Sequence, residues 1–207
     1  MNFRLVLFDL GGVVLGSPLH VISEYEALEG IKPGSINRVI GETGLSGSWS
    51  RLECGVITMK QFFSDFEEEC KEAGFRVSSY DLMKRISDVT KPRSEMLEAI
   101  RRIRKSNLQV AALTNNWKND RGGTGAIKDY FDFFFESSEL GMRKPDPRIY
   151  EHVCDTLSVS PDSIVFLDDI GRNLKAAKLL GFTTIKVDDP EKALQELGNI
   201  LGIELIR

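Results

Sequence analysis

The chain has 207 residues, 42% of them hydrophobic and 28% charged, a balance that suits a globular protein with one core and room for a smaller second unit. Lys and Arg number 27 against 31 Asp and Glu, and the net charge of −4 argues against general attraction to nucleic acid or to an anionic membrane surface. The 3 cysteines (Cys54, Cys70 and Cys154) are odd in number and widely spaced, so they read as free thiols of a reducing compartment and not as a disulfide framework or a zinc site. MNFR leads straight into an apolar run with no signal segment, and no apolar stretch nears the roughly 20 residues of a membrane span, so a cytoplasmic location is expected.

The first predicted element is a strand. Leu5, Val6, Leu7 and Phe8 form a continuous apolar run, as a strand buried on both faces does, and it ends at Asp9 followed by Gly11 and Gly12. The stretch 16–90 then reads as almost wholly helical. Leu19, Ile22, Tyr25 and Leu28 recur at helical spacing until Pro33-Gly34, and Ile36, Val39 and Ile40 mark a second short helix. Glycines and serines over 41–55 predict a loop with Trp49 in its middle. Thr58 and Gln61 offer a capping box for a helix that carries Phe62, Phe63, Phe66 and Cys70 on one face and turns Glu67, Glu68 and Glu69 to solvent. Ser78 or Ser79 caps a fourth helix with Leu82, Met83 and Ile86. The insertion is therefore expected to be a four-helix lid.

From Pro92 the pattern becomes regular alternation. Met96, Leu97, Ile100 and Ile103 mark an amphipathic helix with cations near its C-terminal end, where they suit the helix dipole. A buried strand over 108–113 ends at Thr114-Asn115, a polar glycine-rich loop covers 117–125, and the aromatic run 131–135 predicts another strand. Ile149, Val153 and Leu157 mark a helix, 164–167 a strand ending at Asp168-Asp169, Leu174, Ala177 and Leu180 a helix, 183–187 a strand and 191–201 a last helix. Strands alternating with helices imply right-handed crossovers and a parallel sheet covered on both faces. The expected fold is α/β, a Rossmann-like parallel sheet with a helical cap inserted after the first strand. The core domain would be residues 1–15 and 91–207, and the cap domain 16–90.

Parallel strands bring their carboxyl ends to one edge of the sheet, where open α/β folds bind ligands, so Asp9, Thr114-Asn115 and Asp168-Asp169 should converge. GMRKPDP places Lys144 in a proline-stiffened loop nearby. Carboxylates can hold Mg²⁺, which prefers oxygen ligands. Lys144, Thr114 and backbone N–H groups can hold phosphate oxygens. A carboxylate such as Asp9 can also attack phosphorus and split the displacement into two steps.

With these residues in place, the chain resembles the haloacid dehalogenase-like hydrolase superfamily. Four motifs of that family occur in order: FDLGGVV at Asp9, LTNN at Thr114, GMRKP at Lys144, and FLDD followed by Asn173. The resemblance covers the whole chain. It is nearest to the N-terminal phosphatase domain of soluble epoxide hydrolases, through LTNNW, DFFFES, KPDPRIY and IVFLDDIGRNL. It implies that Asp9 is the nucleophile and a Mg²⁺ ligand, with the Gly11 carbonyl and Asp169 as further ligands. Thr114 and Asn115 would bind the phosphoryl group of a small phosphorylated substrate, and Lys144 would offset charge between nucleophile and phosphate. Asp168 and Asn173 would support the metal site from behind.

The chain departs from the family at Gly11, where its phosphatases usually carry a second aspartate that protonates the leaving oxygen and activates water. Loss of such a group is typically worth ~10²–10⁴-fold in rate. The expected activity is thus a Mg²⁺-dependent phosphatase, slow on poor leaving groups. The alternative is a catalytically impaired member that binds phosphorylated ligands or proteins. A dehalogenase fits less well, because the paired Asp168-Asp169 favours a metal that dehalogenation does not need.

Overall fold

The computed structural model describes residues 3–118 and 124–206. The chain opens with β1 (Leu5–Phe8) and a tight turn over Leu10–Val14, then enters five helices: α1 (Pro18–Leu28), α2 (Ser35–Glu42), α3 (Ser48–Glu53), α4 (Met59–Glu72) and α5 (Ser79–Val89). Next come α6 (Ser94–Lys105), β2 (Gln109–Thr114), β3 (Phe133–Glu136), α7 (Ser137–Leu140) and α8 (Pro147–Leu157). β4 (Ile164–Asp168), α9 (Gly171–Leu179), β5 (Thr183–Lys186) and α10 (Pro190–Leu201) complete it.

Among the described residues five strands form one sheet, all parallel, in the order β3-β2-β1-β4-β5. The apolar runs are explained by the period of two. Val6, Phe8, Val110, Ala112, Val165 and Leu167 face α6 and α10, while Leu5, Leu7, Ala111, Leu113, Ile164 and Phe166 face α8 and α9. The chain runs outward from β1 through β2 to β3, then returns to β4 on the other side of β1. That reversal opens a crevice beyond the carboxyl ends of β1 and β4. The fold is the expected Rossmann-like α/β sheet, with strand ends shifted by one or two residues and β3 starting at Phe133.

The helices over 18–89 gather around a second core of their own, built on Tyr25, Ile36, Trp49, Phe62, Phe66, Leu82 and Ile86. They form a helical cap joined to the sheet by two neighbouring strands of chain: Leu15 bridges Pro92, Gly16 N–H donates to Lys91 C=O (3.2 Å) and Arg93 N–H to Val14 C=O (2.9 Å). The capping box forms as expected, Thr58 Oγ1 accepting from Gln61 N–H and Gln61 Oε1 from Thr58 N–H, and Ser78 is the N-cap of α5.

Three expectations for the cap are corrected. It holds five α-helices, not four, because 48–53 is helical and not loop. Composition disguises α3: it has six residues and a glycine N-cap without a capping side chain. Its first turn is capped from elsewhere, Glu69 accepting from both Ser48 N–H and Ser48 Oγ at 2.7 Å. Glu69 is consequently no simple solvated side chain, and Glu67 likewise accepts from Ser79 N–H (3.0 Å) and Ser79 Oγ (2.8 Å). In α1 the buried face is Val21, Ile22 and Tyr25 with Glu26, and Leu19 and Leu28 are exposed. Glu26, which carries no signal in the sequence, accepts from Gly34 and Ile36 N–H at 2.7 Å through its carboxylate and so anchors the start of α2. The loop expected over 117–125 lies partly outside the described residues.

Candidate active site

β1 ends on Asp9 and β4 on Asp168-Asp169, side by side in the sheet, Phe8 being in register with Leu167. Between them the turn after β1 doubles back, Leu15 N–H donating to Leu10 C=O at 2.8 Å. Gly12 sits there at φ +79°, and a Cβ on it would stand 2.0 Å from Asp169 Oδ2. A glycine is therefore required twice over, for its backbone conformation and for the approach of Asp169. Gly11 has an ordinary backbone (φ −63°, ψ 124°), so its conformation does not require a glycine.

Lys144 reaches into this cluster from the loop before α8. Its side chain is 1% exposed, and Nζ lies 2.9 Å from Asp9 Oδ1 and 2.7 Å from Asp168 Oδ2. Asn115 holds the same lysine by its backbone: Lys144 N–H donates to Asn115 Oδ1 (2.9 Å) and Asn115 Nδ2 to Lys144 C=O (3.0 Å). Asp168 is wholly buried and saturated by Lys144, by Ile170 N–H at 2.7 Å and by Asn173 Nδ2 at 3.1 Å. Asp169 is only partly buried and lines the cavity in front. The two adjacent aspartates thus divide their work, one facing inward to order Lys144 and one facing the cavity. Thr114 is buried at the end of β2, and the cavity wall described does not include it. Asp9, Gly11, Asn115, Lys144, Asp169 and Asn173 share that wall.

The cavity, about 120 Å³, lies between sheet edge and cap. Its floor is the cluster above. Its roof is Pro18, Leu19 and Ile22 of α1, Asn37 and Ile40 of α2, and Trp49 and Glu53 of α3. Arg143, Ile170 and Arg172 complete the rim. Sequence reasoning picked out none of these roof residues as site residues, because the cavity forms only where the cap's packed faces meet the sheet edge. Glu53 and Arg143 form an ion pair, Oε2 to Nε 2.7 Å, with both side chains 9% exposed.

Charge within the cluster is unbalanced. Oxygens of Asp9, Asp168 and Asp169 all lie within 4.8 Å of one another, against the single ammonium of Lys144. Burial first, opposed by Lys144 and reinforced by the other two carboxylates, pushes Asp9 well above the usual carboxylate range. Asp169 rises to about 6, through burial and then the charge of Asp168. Burial pulls the Lys144 ammonium down, but Asp168 and Asp9 outweigh it and hold the group above its ordinary value. Among the described residues, Asp169 Oδ1 and Asn173 Oδ1 are buried without a hydrogen-bond partner. Crowded carboxylates, excess negative charge and an orphaned carboxylate oxygen suit a hard divalent cation such as Mg²⁺.

The family model for haloacid dehalogenase-like hydrolases matches residues 3–181. The chain belongs to that family. Acyl-CoA dehydrogenase family member 10 of Mus musculus is 40% identical over 99% of this chain, and bifunctional epoxide hydrolase 2 of Sus scrofa is 35% identical over 100% of it. The chain spans 20% of the length of the mouse protein and 40% of that of the pig protein. Among solved structures, a haloacid dehalogenase family enzyme of Bacteroides thetaiotaomicron in complex with magnesium and inorganic phosphate superposes with a TM-score of 0.65, at 22% identity, over 89% of this chain and 93% of its own. That likeness is one of fold. The haloacid dehalogenase-like family places this chain among hydrolases built on a parallel sheet, and the strand order agrees.

Proposed function

We propose that the protein is a magnesium-dependent phosphatase that acts on a small phosphorylated metabolite through an aspartyl-phosphate on Asp9. The observation that carries this reading is the position of Asp9: a carboxylate at the cavity floor, held 2.9 Å from a buried ammonium, with a second, orphaned carboxylate at Asp169 beside it. The Bacteroides enzyme of the same fold, solved with magnesium and inorganic phosphate, agrees with it.

Asp9, Asp169 and the Gly11 carbonyl would hold Mg²⁺. The bound ion supplies positive charge against the phosphoryl oxygens and keeps the nearby carboxylates ionised. Lys144 orients Asp9 through one carboxylate oxygen and leaves the other free to approach phosphorus. In the first step the bond from Asp9 to phosphorus forms as the bond to the leaving oxygen breaks. In the second, water attacks phosphorus and the Asp9 carboxylate departs, giving orthophosphate. Asn115, on the cavity wall, would bind the phosphoryl oxygens through its backbone while its side chain keeps Lys144 in place, and Thr114, buried beside it at the end of β2, would join it only once uncovered. Asp168 fixes Lys144 from behind and is itself held by Asn173.

No side chain at residue 11 can protonate the leaving oxygen, so leaving groups that depart as stable anions are favoured: acyl, aryl and sugar-1-phosphates. The closed cavity is smaller than the ~300–1,000 Å³ of drug-sized ligand pockets, so a larger substrate requires the cap over 16–90 to move off the core domain (1–15 and 91–207). The test is phosphate release from these three substrate classes with Mg²⁺. Activity in the wild type and its loss in Asp9→Asn is the expected result; no release from any class, or release undiminished in Asp9→Asn, would sink the reading. A second reading, an impaired member that only binds phosphorylated ligands, is favoured by Gly11 alone. It predicts saturable binding of such ligands without turnover.

A further inference from the structure

Among the described residues of the cap, α3 makes a distinctive set of contacts with the core. Glu53 Oε2 meets Arg143 Nε at 2.7 Å, without the linear N–H···O alignment of a hydrogen bond, and the pair is nine-tenths buried. Trp49 Nε1 donates to the other Glu53 oxygen at 3.0 Å, Ser137 Oγ donates to Glu53 C=O at 2.6 Å, and Arg143 Nη1 donates to Ser50 Oγ. Trp49 also packs edge-on against Trp117, 6.4 Å away, from the core loop after β2. Glu53, Arg143 and Trp49 all line the active-site cavity.

A buried ion pair is a poor adhesive, because desolvation offsets most of its Coulomb attraction; its best-attested use is to fix one register between two surfaces. Arg143 is also the residue before Lys144, whose backbone Asn115 already holds on both its N–H and its C=O. Where Arg143 is seated therefore bears directly on where the Lys144 ammonium stands. We propose that Glu53 and Arg143 are positioning residues: their pair seats the cap on the core in one register and, through the Arg143–Lys144 peptide, sets Lys144 against Asp9. The proposal rests on the phosphatase reading: its kinetic test needs turnover, and its spectroscopic test needs only that the site binds a phosphate mimic with Mg²⁺.

The test replaces both partners together, Glu53→Leu with Arg143→Met, because a single substitution strands a buried charge and can unfold the chain. An apolar pair of similar volume is often neutral or stabilising. With acetyl phosphate, a substrate too short to gain much from a distant contact, kcat should fall about 10- to 100-fold, as displacing a reacting group by about 1 Å does, with KM changed less than about threefold. The melting temperature should hold or rise. A lowered melting temperature with unchanged kcat would make the pair structural only, and a raised KM with unchanged kcat would make it a substrate contact; either overturns the proposal.

The second readout needs no turnover. The chain's 2 tryptophans, Trp49 and Trp117, both sit at this junction, so intrinsic fluorescence reports it directly. Magnesium with orthovanadate, a phosphate mimic, should change the wild-type emission saturably and leave the double variant's largely unchanged. An equal response in both, or none in the wild type, overturns the proposal. If the wild type releases no phosphate but still answers vanadate, the phosphatase reading fails, and the fluorescence comparison still decides on the Glu53–Arg143 pair.

Discussion

At the residue scale, the site's chemistry turns on Gly11. A Cβ there would meet Pro18 Cγ and Cδ at 3.3 Å, so the cap's first helix stands close to the space an acid at residue 11 needs. A shift of a few tenths of an ångström admits it, because the backbone angles already suit a side chain. Gly11→Asp is expected to raise turnover of alkyl phosphates by about 10²-fold or more, with little change for acyl phosphates that leave unaided. Equal gains on both would show that the missing group is not an acid. Asp169 gives a pH signature at the same scale. Its ordinary value is 3.8 and the folded protein raises it to about 6. Between about pH 4 and 6 the folded, metal-free protein keeps a proton that the unfolded chain releases, so its stability should fall as pH rises through that window. Mg²⁺ held by Asp169, as proposed, would displace that proton, so its affinity should weaken as pH falls through about 6. Melting curves with and without Mg²⁺ from pH 4.5 to 8 check both signs. Asp9, Lys144 and Asp169 were legible from their place at strand ends and in the motif order. The division of labour between Asp168 and Asp169 was not, because it depends on which carboxylate points back at Lys144.

At the element scale, strands were easier to read than short helices. An apolar run such as Leu5–Phe8 buries both faces of itself and needs no partner to be recognised. α3 is the opposite case: its N-cap is a glycine, its cap acceptor is Glu69 from another helix, and its anchors are Glu53 on Arg143 and Ser137. Apart from the local Trp49–Glu53 bond, the side-chain contacts that cap and anchor it come from elsewhere in the fold and leave no local pattern. α4 shows what local signals do achieve. Its capping box was readable at Thr58 and Gln61, and it forms. Thr58→Ala should cost about 1 kcal/mol, which lowers the melting temperature by ~2–4 °C for a chain of this size, while leaving kcat for acetyl phosphate within about twofold. A large fall in kcat would tie the exposed end of α4 to the site in a way its position gives no reason to expect.

At the scale of the whole molecule, the strand order makes the site. Because β1 lies at the centre with β2 and β4 on either side, the ends of three strands deliver a carboxylate, a hydroxyl-amide pair and two further carboxylates to one edge. The cap is joined by neighbouring segments at Leu15 and Pro92 and held again at α3, so it roofs the crevice from two sides. Sequence alternation was enough to anticipate the sheet and the converging strand ends. The cavity's roof was not anticipated, since Pro18, Leu19, Ile22, Ile40 and Trp49 carry no catalytic pattern and gain meaning only from packing. The central claim is that Asp9 accepts the phosphoryl group while the chain lacks the side chain that would speed its release. A phosphoenzyme should therefore accumulate. Acid quenching within seconds of mixing protein, Mg²⁺ and acetyl phosphate, followed by mass spectrometry of the digested peptides, tests this directly. The account predicts a gain of one phosphoryl group on the peptide that contains Asp9, absent in Asp9→Asn and short-lived in Gly11→Asp. No phosphorylated peptide, or one that survives Asp9→Asn, would contradict it.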